Sequence, residues 1–443
     1  MKHVQPTDLI APLKKAWRSY RTLMQPKPRI PSDKVLRECL SVAFQASFKT
    51  EEHRRTVFRL ALLPSTYQSP NQFLSKNISQ TTVVPFKTPR PLSVGELLRL
   101  APATDPTKVL IAVDPTPSAP GEQLSIWGLV DTGGSWWSFA RGEADMGYPP
   151  PTAVTIASFE PASLLISTEG VLLIGLRDGQ LVEPLSDVLD KGPIGSFFSN
   201  GARSLRGEVR QELGAKKMSL VDKGDDGYLR GFYLDLVSRL IQRIAEMGHG
   251  GVVIVVRDEM SLDDTRLADR LFVKYQCSHD AAWSAAKECL VNRQRFHEHS
   301  MRVKRGAIKQ GDFRRGGILN EMLEEANEAV EEAVDFITAL SGVDGAIVMT
   351  DRLRVLGFGA EVVASSPSLR DVWFASSADG TKGRTVSIDA FGTRHRSAFR
   401  FASSFDDAAV FVVSQDGGAK AVKRVGSSVV VWSDIQMRRF GLF

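Results

Sequence analysis

The sequence predicts an α/β domain built on a central mixed β-sheet flanked by helices, preceded by a smaller, β-rich α+β domain. Three observations carry this. Between residues 108 and 190, short aliphatic runs recur, each closed by Asp, Gly or Pro, as in strands joined by turns. After residue 226 the period changes, and long stretches with apolar residues at i, i+3 and i+4 alternate with buried-type aliphatic runs. That is the pattern of helices layered on a sheet. Between the two, residues 192–225 carry Gly, Ser, Lys and Asp, which marks a domain boundary near 195–225. The expected organisation is a basic arm over 1–30, a β-rich domain over 31–195, a linker over 196–225 and an α/β domain over 226–443.

In chain order, Pro6, Pro12, Pro26 and Pro28 suggest a loosely held arm with a short helix around Leu13–Leu23. Residues 34–64 fit helix or strand equally. Pro85, Pro89 and Pro91 mark an irregular stretch, and Ser93 with Glu96 three residues on forms a capping-box pattern ahead of Leu97, Leu98 and Leu100. Strands are expected at 109–113, 126–130, 152–158, 163–167 and 171–176. Trp127, Trp136 and Trp137 are better read as packing than as a ligand pocket. Tyr228–Met247 is an amphipathic helix stopped by Gly248, Gly250 and Gly251, and the buried strand Val252–Val256 follows. A helical, charged region over 262–300, a basic loop over 302–315 and a second amphipathic helix over Ile318–Leu340 come next. Strands follow at 346–349 and 355–358, then a helix from Thr393 to about Ser404, and strands at 409–413, 419–422 and 428–432.

Composition narrows the class. Of 443 residues, 43% are hydrophobic and 24% charged, a globular balance that speaks against a disordered or fibrous chain. The aliphatic run Val252–Val256 falls far short of the ~20 residues that span a bilayer. The N-terminus has no signal-peptide pattern, and three cysteines (Cys39, Cys277, Cys289) are too few for a disulfide framework. A soluble, cytoplasmic protein without a membrane span is expected. The net charge of +5 is uneven: residues 1–100 hold 17 Lys/Arg and 6 Asp/Glu, or +11, which leaves −6 for the rest. Such a segment can touch nucleic acid or another anionic partner, but it contains no nucleic-acid motif and reads as a solvated basic surface.

Three segments stand out for chemistry. Gly342-Val343-Asp344-Gly345-Ala346 places a carboxylate at a strand entrance beside residues that let a ligand approach the backbone. Gly392-Thr393-Arg394-His395-Arg396-Ser397-Ala398 opens a helix, where unpaired N–H groups, a hydroxyl and two forked guanidinium groups favour phosphate. Ser414-Gln415-Asp416-Gly417 ends a buried strand with a hydroxyl and a second acid. Each alone reads as a turn or a cap; their order and setting are more specific.

With these motifs, residues of roughly 226–435 resemble a diadenylate cyclase domain. That family carries Asp-Gly-Ala on a strand, then Gly-Thr-Arg-His-Arg opening a helix, then a buried strand ending in Ser-Glu-Glu-Thr-Gly. The resemblance implies condensation of two ATP molecules to cyclic di-AMP and two pyrophosphates, with Mg²⁺ or Mn²⁺, in a homodimer or higher oligomer. It also implies roles. Asp344 lies at the 3′-hydroxyl and metal; Thr393, Arg394 and Arg396 hold phosphates, with His395 orienting them. Gly345, Ala346, Gly392 and Gln415 belong to the nucleotide-binding set, Ser414 contacts the triphosphate, and Asp416 helps bind metal. The chain departs from the pattern at Gln415-Asp416, where the family has an acidic pair, and at Val343, where many members have His. Less specifically, Val109–Pro115, Trp127–Gly133 and Ser167–Arg177 resemble the DACNV type of sensor domain, which implies a regulated cyclase with an unknown sensed ligand. The alternatives are a catalytically degenerate nucleotide-binding sensor and a cyclase making a different cyclic dinucleotide. Cys277-Ser278-His279 and Cys289 with His297-Glu298-His299 match no zinc spacing. The acidic helix face from Glu324 to Glu332 reads as solvated.

Overall fold

The computed structural model describes residues 4–20, 28–51, 54–67, 81–105, 108–116, 122–133, 150–159, 161–177, 179–182, 188–214, 227–304, 311–364, 368–414 and 418–433. The chain divides into two compact units, Met1–Pro184 with Arg438–Phe443, and Leu185–Met437. Each is mixed α/β.

The first unit opens with helices α1 (Ile10–Ser19) and α2 (Asp33–Ser47). A two-residue pair, β1 (Thr50–Glu51) with β2 (Arg54–Arg55), stands apart from the main sheet. That sheet contains β3 (Phe58–Leu62), β4 (Thr82–Pro91), β5 (Val109–Asp114), β6 (Ser125–Asp131), β7 (Thr155–Ser158), β8 (Leu164–Thr168), β9 (Val171–Arg177) and β10 (Gln180–Val182). Their order is β10-β9-β8-β7-β3-β5-β6-β4, with only β3 and β5 parallel. Helix α3 (Val94–Leu100) follows β4, and Ser93 caps it by accepting from the Glu96 N–H at 3.2 Å.

Two expectations change here. Residues 6–19 are no loose arm: Leu9, Leu13 and Trp17 are buried with Leu36, Leu40, Phe58 and Leu60, so the amphipathic face of α1 completes a core. The proline-marked stretch is also a strand. Prolines survive in β4 because it is the sheet edge, and its register against β6 slips between Pro85 and Arg90. Trp127 packs as expected, its indole N–H donating to the Leu63 carbonyl at 2.8 Å; Trp136 and Trp137 lie outside the described residues.

The second unit begins with α4 (Gly192–Leu213), in a segment whose Gly and Ser content suggested a linker. The helix is fixed by what it buries. Ile194, Phe197, Phe198 and Leu205 are at most 1% exposed, Phe198 stacks on Phe411 at 6.0 Å, and Arg257 lies over the Phe197 ring at 4.0 Å. Tertiary burial outweighs weak helix propensity here. Then come α5 (Gly227–Glu246), β11 (Gly251–Val256), the single turn α6 (Thr265–Ala268) and β12 (Leu271–His279). Two long helices, α7 (Ala281–Lys304) and α8 (Asp312–Leu340), precede β13 (Ala346–Thr350), β14 (Val355–Val362), β15 (Asp371–Ala375) and β16 (Gly383–Ser387). Helix α9 (Thr393–Ser404), β17 (Ala408–Val413), β18 (Ala419–Val425) and β19 (Ser428–Trp432) complete the unit.

The sheet order is β12-β14-β13-β11-β17-β18-β19-β15-β16, with β11/β13 and β15/β19 parallel and the remaining pairs antiparallel. One face packs on α4, α5, α7 and α8; the other packs on α9 through Ala398, Phe399, Phe401 and Ala402. Strand β11 is buried along its whole length because both faces are covered. The region 262–300 is not continuously helical. Strand β12 was hidden because it is an edge strand with exposed Lys274, Tyr275, Gln276 and Cys277, which break the apolar alternation. The basic segment 302–315 is partly helix: α7 runs to Lys304 and α8 starts at Asp312. Among the described residues, no helix is long and apolar enough to cross a membrane.

Candidate functional site

Register brings the three motifs to one end of the second sheet. Val252 pairs with Ala346 across the parallel β11/β13 ladder, and Gly251 pairs with Val413 across the antiparallel β11/β17 ladder. The residues just outside those pairs are therefore neighbours in space: Gly250 before β11, Asp344-Gly345 before β13 and Ser414 after β17. Helix α9 points its first turn to the same end, because the Arg394 guanidinium donates from Nη1 to the His249 carbonyl at 2.9 Å.

Each position has a local cause. Gly345 has φ +122°, and a Cβ there would lie 2.6 Å from the Gly359 carbonyl carbon and 2.9 Å from the Ala360 nitrogen. Only glycine lets β13 pass so close to β14. This sets the direction of Asp344, which is exposed. Behind it stands an ion pair on the sheet edge, Lys274 Nζ to Glu361 Oε1 at 2.7 Å. The Lys274 ammonium is held above its ordinary pKa, first by hydrogen bond and charge from Glu361 and to a smaller extent by Asp344. Asp344 is thus close enough to add to the negative charge that this ammonium feels.

Gly392 is the N-cap of α9 and offers no side-chain oxygen, so the first-turn N–H groups have no side-chain cap. The first turn contains no acidic residue. Thr393 and Arg394 are exposed, while His395, Arg396 and Ser397 are half-buried. A helix N-terminus alone contributes only ~0.3–1 kcal/mol toward an anion. Two guanidinium groups with forked geometry make this end much more favourable for phosphate. Ser414 closes the opposite side, its N–H donating to the Gly418 carbonyl at 2.9 Å. Gln415 and Asp416 lie outside the described residues.

The arrangement therefore collects one carboxylate, a helix end with two arginines, a threonine and a histidine, and a serine. It can hold a polyanion and present a carboxylate beside it. Sequence reasoning missed His249, Lys274 and Glu361. The glycines around His249 were the available clue; nothing local in the sequence marked the cross-strand pair.

Residues 25–131 match the family model of the probable sensor domain DACNV. The matched span includes α2 to β6 of the first unit. No curated protein matches the chain. The first unit thus carries a probable sensor domain, ahead of a second α/β unit that holds the convergent motifs.

Proposed function

We propose that the chain is a diadenylate cyclase regulated through its DACNV sensor domain. The observation that supports this most is the convergence of Asp344-Gly345, the α9 first turn and Ser414 at one sheet end, set by the Val252/Ala346 and Gly251/Val413 register. In this reading Thr393, Arg394 and Arg396 hold the triphosphate of one ATP, Gly345 and Ala346 allow its close approach, and Asp344 polarises its 3′-hydroxyl. A second copy, facing the first, presents the other ATP. Each 3′-oxygen attacks the opposite α-phosphorus. The new P–O bond forms as the bond to the bridging β-phosphate oxygen breaks; pyrophosphate leaves, and the hydroxyl proton passes to solvent. Two such steps give the cyclic dinucleotide. Most of the barrier reduction comes from alignment and charge neutralisation, which is why two copies are needed.

The donor chemistry fits Mg²⁺ or Mn²⁺ held by Asp344 and phosphate oxygens, since magnesium sites commonly use one or two carboxylates plus substrate. Among the described residues, no group of three His, Cys, Asp or Glu side chains stands ready for a metal. Asp416 is the second carboxylate expected. When bound, such an ion would neutralise phosphate charge.

Purified protein incubated with ATP and either metal should yield cyclic di-AMP by chromatography and mass spectrometry. Asp344→Asn should abolish it while leaving the melting temperature unchanged. The competing reading, a nucleotide-binding regulator without turnover, is carried by Gln415 in place of a carboxylate. ATP binding with no product under either metal, in both the full chain and residues 185–437, would decide for it.

A further inference from the structure

We propose that Phe374, acting through Phe391, is a positioning residue for His395, and that the first turn of α4 holds the hairpin that carries Phe374. The inference deepens the function proposed above and rests on it for its kinetic test.

His395 does not stand alone at the start of α9. Its ring centroid is 5.6 Å from that of Phe391 and 6.2 Å from that of Phe399, which is fully buried. Phe391 meets Phe399 edge-on at 5.4 Å and stacks on Phe374 at 5.3 Å with an interplanar angle of 14°. Phe399 belongs to α9 itself and moves with it. Phe374 belongs to β15, so Phe391 links the phosphate-binding helix to a separate element. A stacked pair resists tilting of either ring, and tilting Phe391 would carry the imidazole with it.

The β15–β16 hairpin is in turn anchored. The Trp373 indole donates to the Gly380 carbonyl at 2.9 Å, and the Trp432 indole donates to the Ser377 carbonyl at 3.1 Å. Its turn then meets α4. A Cβ on Gly192 would lie 2.3 Å from the Ala378 carbonyl oxygen and 2.9 Å from the Asp379 Cα, so the helix start and the turn touch backbone to backbone. Helix α4 is the first helix after the boundary at Pro184 and Leu185. The segment leading into it is anchored too, Val188 and Leu189 in the core of the unit and Asp190 by its pair with Arg230, and the contact with the turn follows at Gly192. From there the connected route is hairpin, Phe374, Phe391 and His395.

The test uses full-length protein with ring-¹³C-labelled histidine. The chain has 7 histidines, and the His395 signal is assigned by its loss in His395→Gln. Phe374→Leu should shift that signal, because the neighbouring ring current changes when Phe391 loses its stack. Phe374→Tyr keeps the ring and should leave the signal in place. Gly192→Ala should shift it as well. Gly207→Ala, on the same helix with open space around the new methyl, should not. Should Gly192→Ala fail to fold, Asp379→Ala unties the exposed turn, where that carboxylate accepts from the Thr381 N–H at 3.1 Å, and should shift the same signal. In the kinetic arm, Phe374→Leu should lower kcat about tenfold or more with KM for ATP within about twofold, and Phe374→Tyr should restore it. A His395 signal unmoved in folded Phe374→Leu overturns the positioning role. A signal that responds to Phe374 but to neither α4 nor turn variant overturns the role of α4. A wild-type protein that makes no product while the signal responds as expected leaves the positioning intact and removes the cyclase reading instead.

Discussion

At Gly345 the absence of one Cβ decides where Asp344 stands. A methyl group there would press on the Gly359 and Ala360 backbone at a φ of +122° that L-residues rarely adopt. Gly345→Ala should cost about 1–3 kcal/mol by urea denaturation and, for the proposed cyclase, should lower turnover further by displacing the carboxylate. In the first unit, Glu96 is held by Arg90 Nη2 at 3.0 Å and Arg99 Nη1 at 2.7 Å. The Arg90 hydrogen bond is the main reason its carboxyl lies below the usual value, with partial burial opposing it. A carboxyl with a depressed folded-state pKa stabilises above its unfolded value and loses that contribution as pH falls through the folded one. Glu96→Gln should therefore melt lower than wild type at pH 7. The gap should close as pH drops below the ordinary carboxyl value of 4.5. A gap that stays constant to pH 3 would mean Glu96 acts through packing alone.

Between elements, a largely buried charged cluster joins α5 to α8. Arg239 and Arg243 both reach Glu331, Arg243 also reaches Asp335, and Arg239 bonds Asp235 at 2.6 Å. The arginines are only 6% and 10% exposed. Buried pairs contribute modestly when intact, but removing one partner leaves charges in a poor environment. Glu331→Ala should cost about 3 kcal/mol in a denaturant titration. By contrast, Lys274–Glu361, between edge strand β12 and β14, is well exposed, and breaking it should leave the denaturation midpoint unchanged.

For the whole molecule, the two units have separate cores, and full-length denaturation should show two transitions rather than one. Where the second unit can be cut follows from α4. A fragment of residues 185–437 keeps Phe197, Phe198 and Leu205 in place and should unfold cooperatively. A fragment starting at 226 loses them and exposes Phe411 and Tyr233; it should aggregate or melt without a sharp transition. Comparing the two by calorimetry checks this.

The sequence alone determined the elements whose signal is local. Thr393–Ser404 shows as a helix because Gly392 opens it and its apolar face is continuous, and β11, β13 and β17 show as aliphatic runs because both faces are covered. It also named Asp344, Thr393, Arg394, His395, Arg396 and Ser414 through spacing and resemblance. Tertiary structure decided the rest. Helix α4 forms where composition suggested a linker, because its aromatic face finds a core. Strands β4 and β12 form at sheet edges, where prolines and charges are tolerated and the alternating pattern is lost. That the motifs share one end of a sheet is a matter of register between strands over 150 residues apart, β11 and β17. Register comes from the packing of whole faces, so no local run of residues contains it. The partners of the site, His249, Lys274, Glu361 and the Phe374–Phe391 stack, came into view only with that packing.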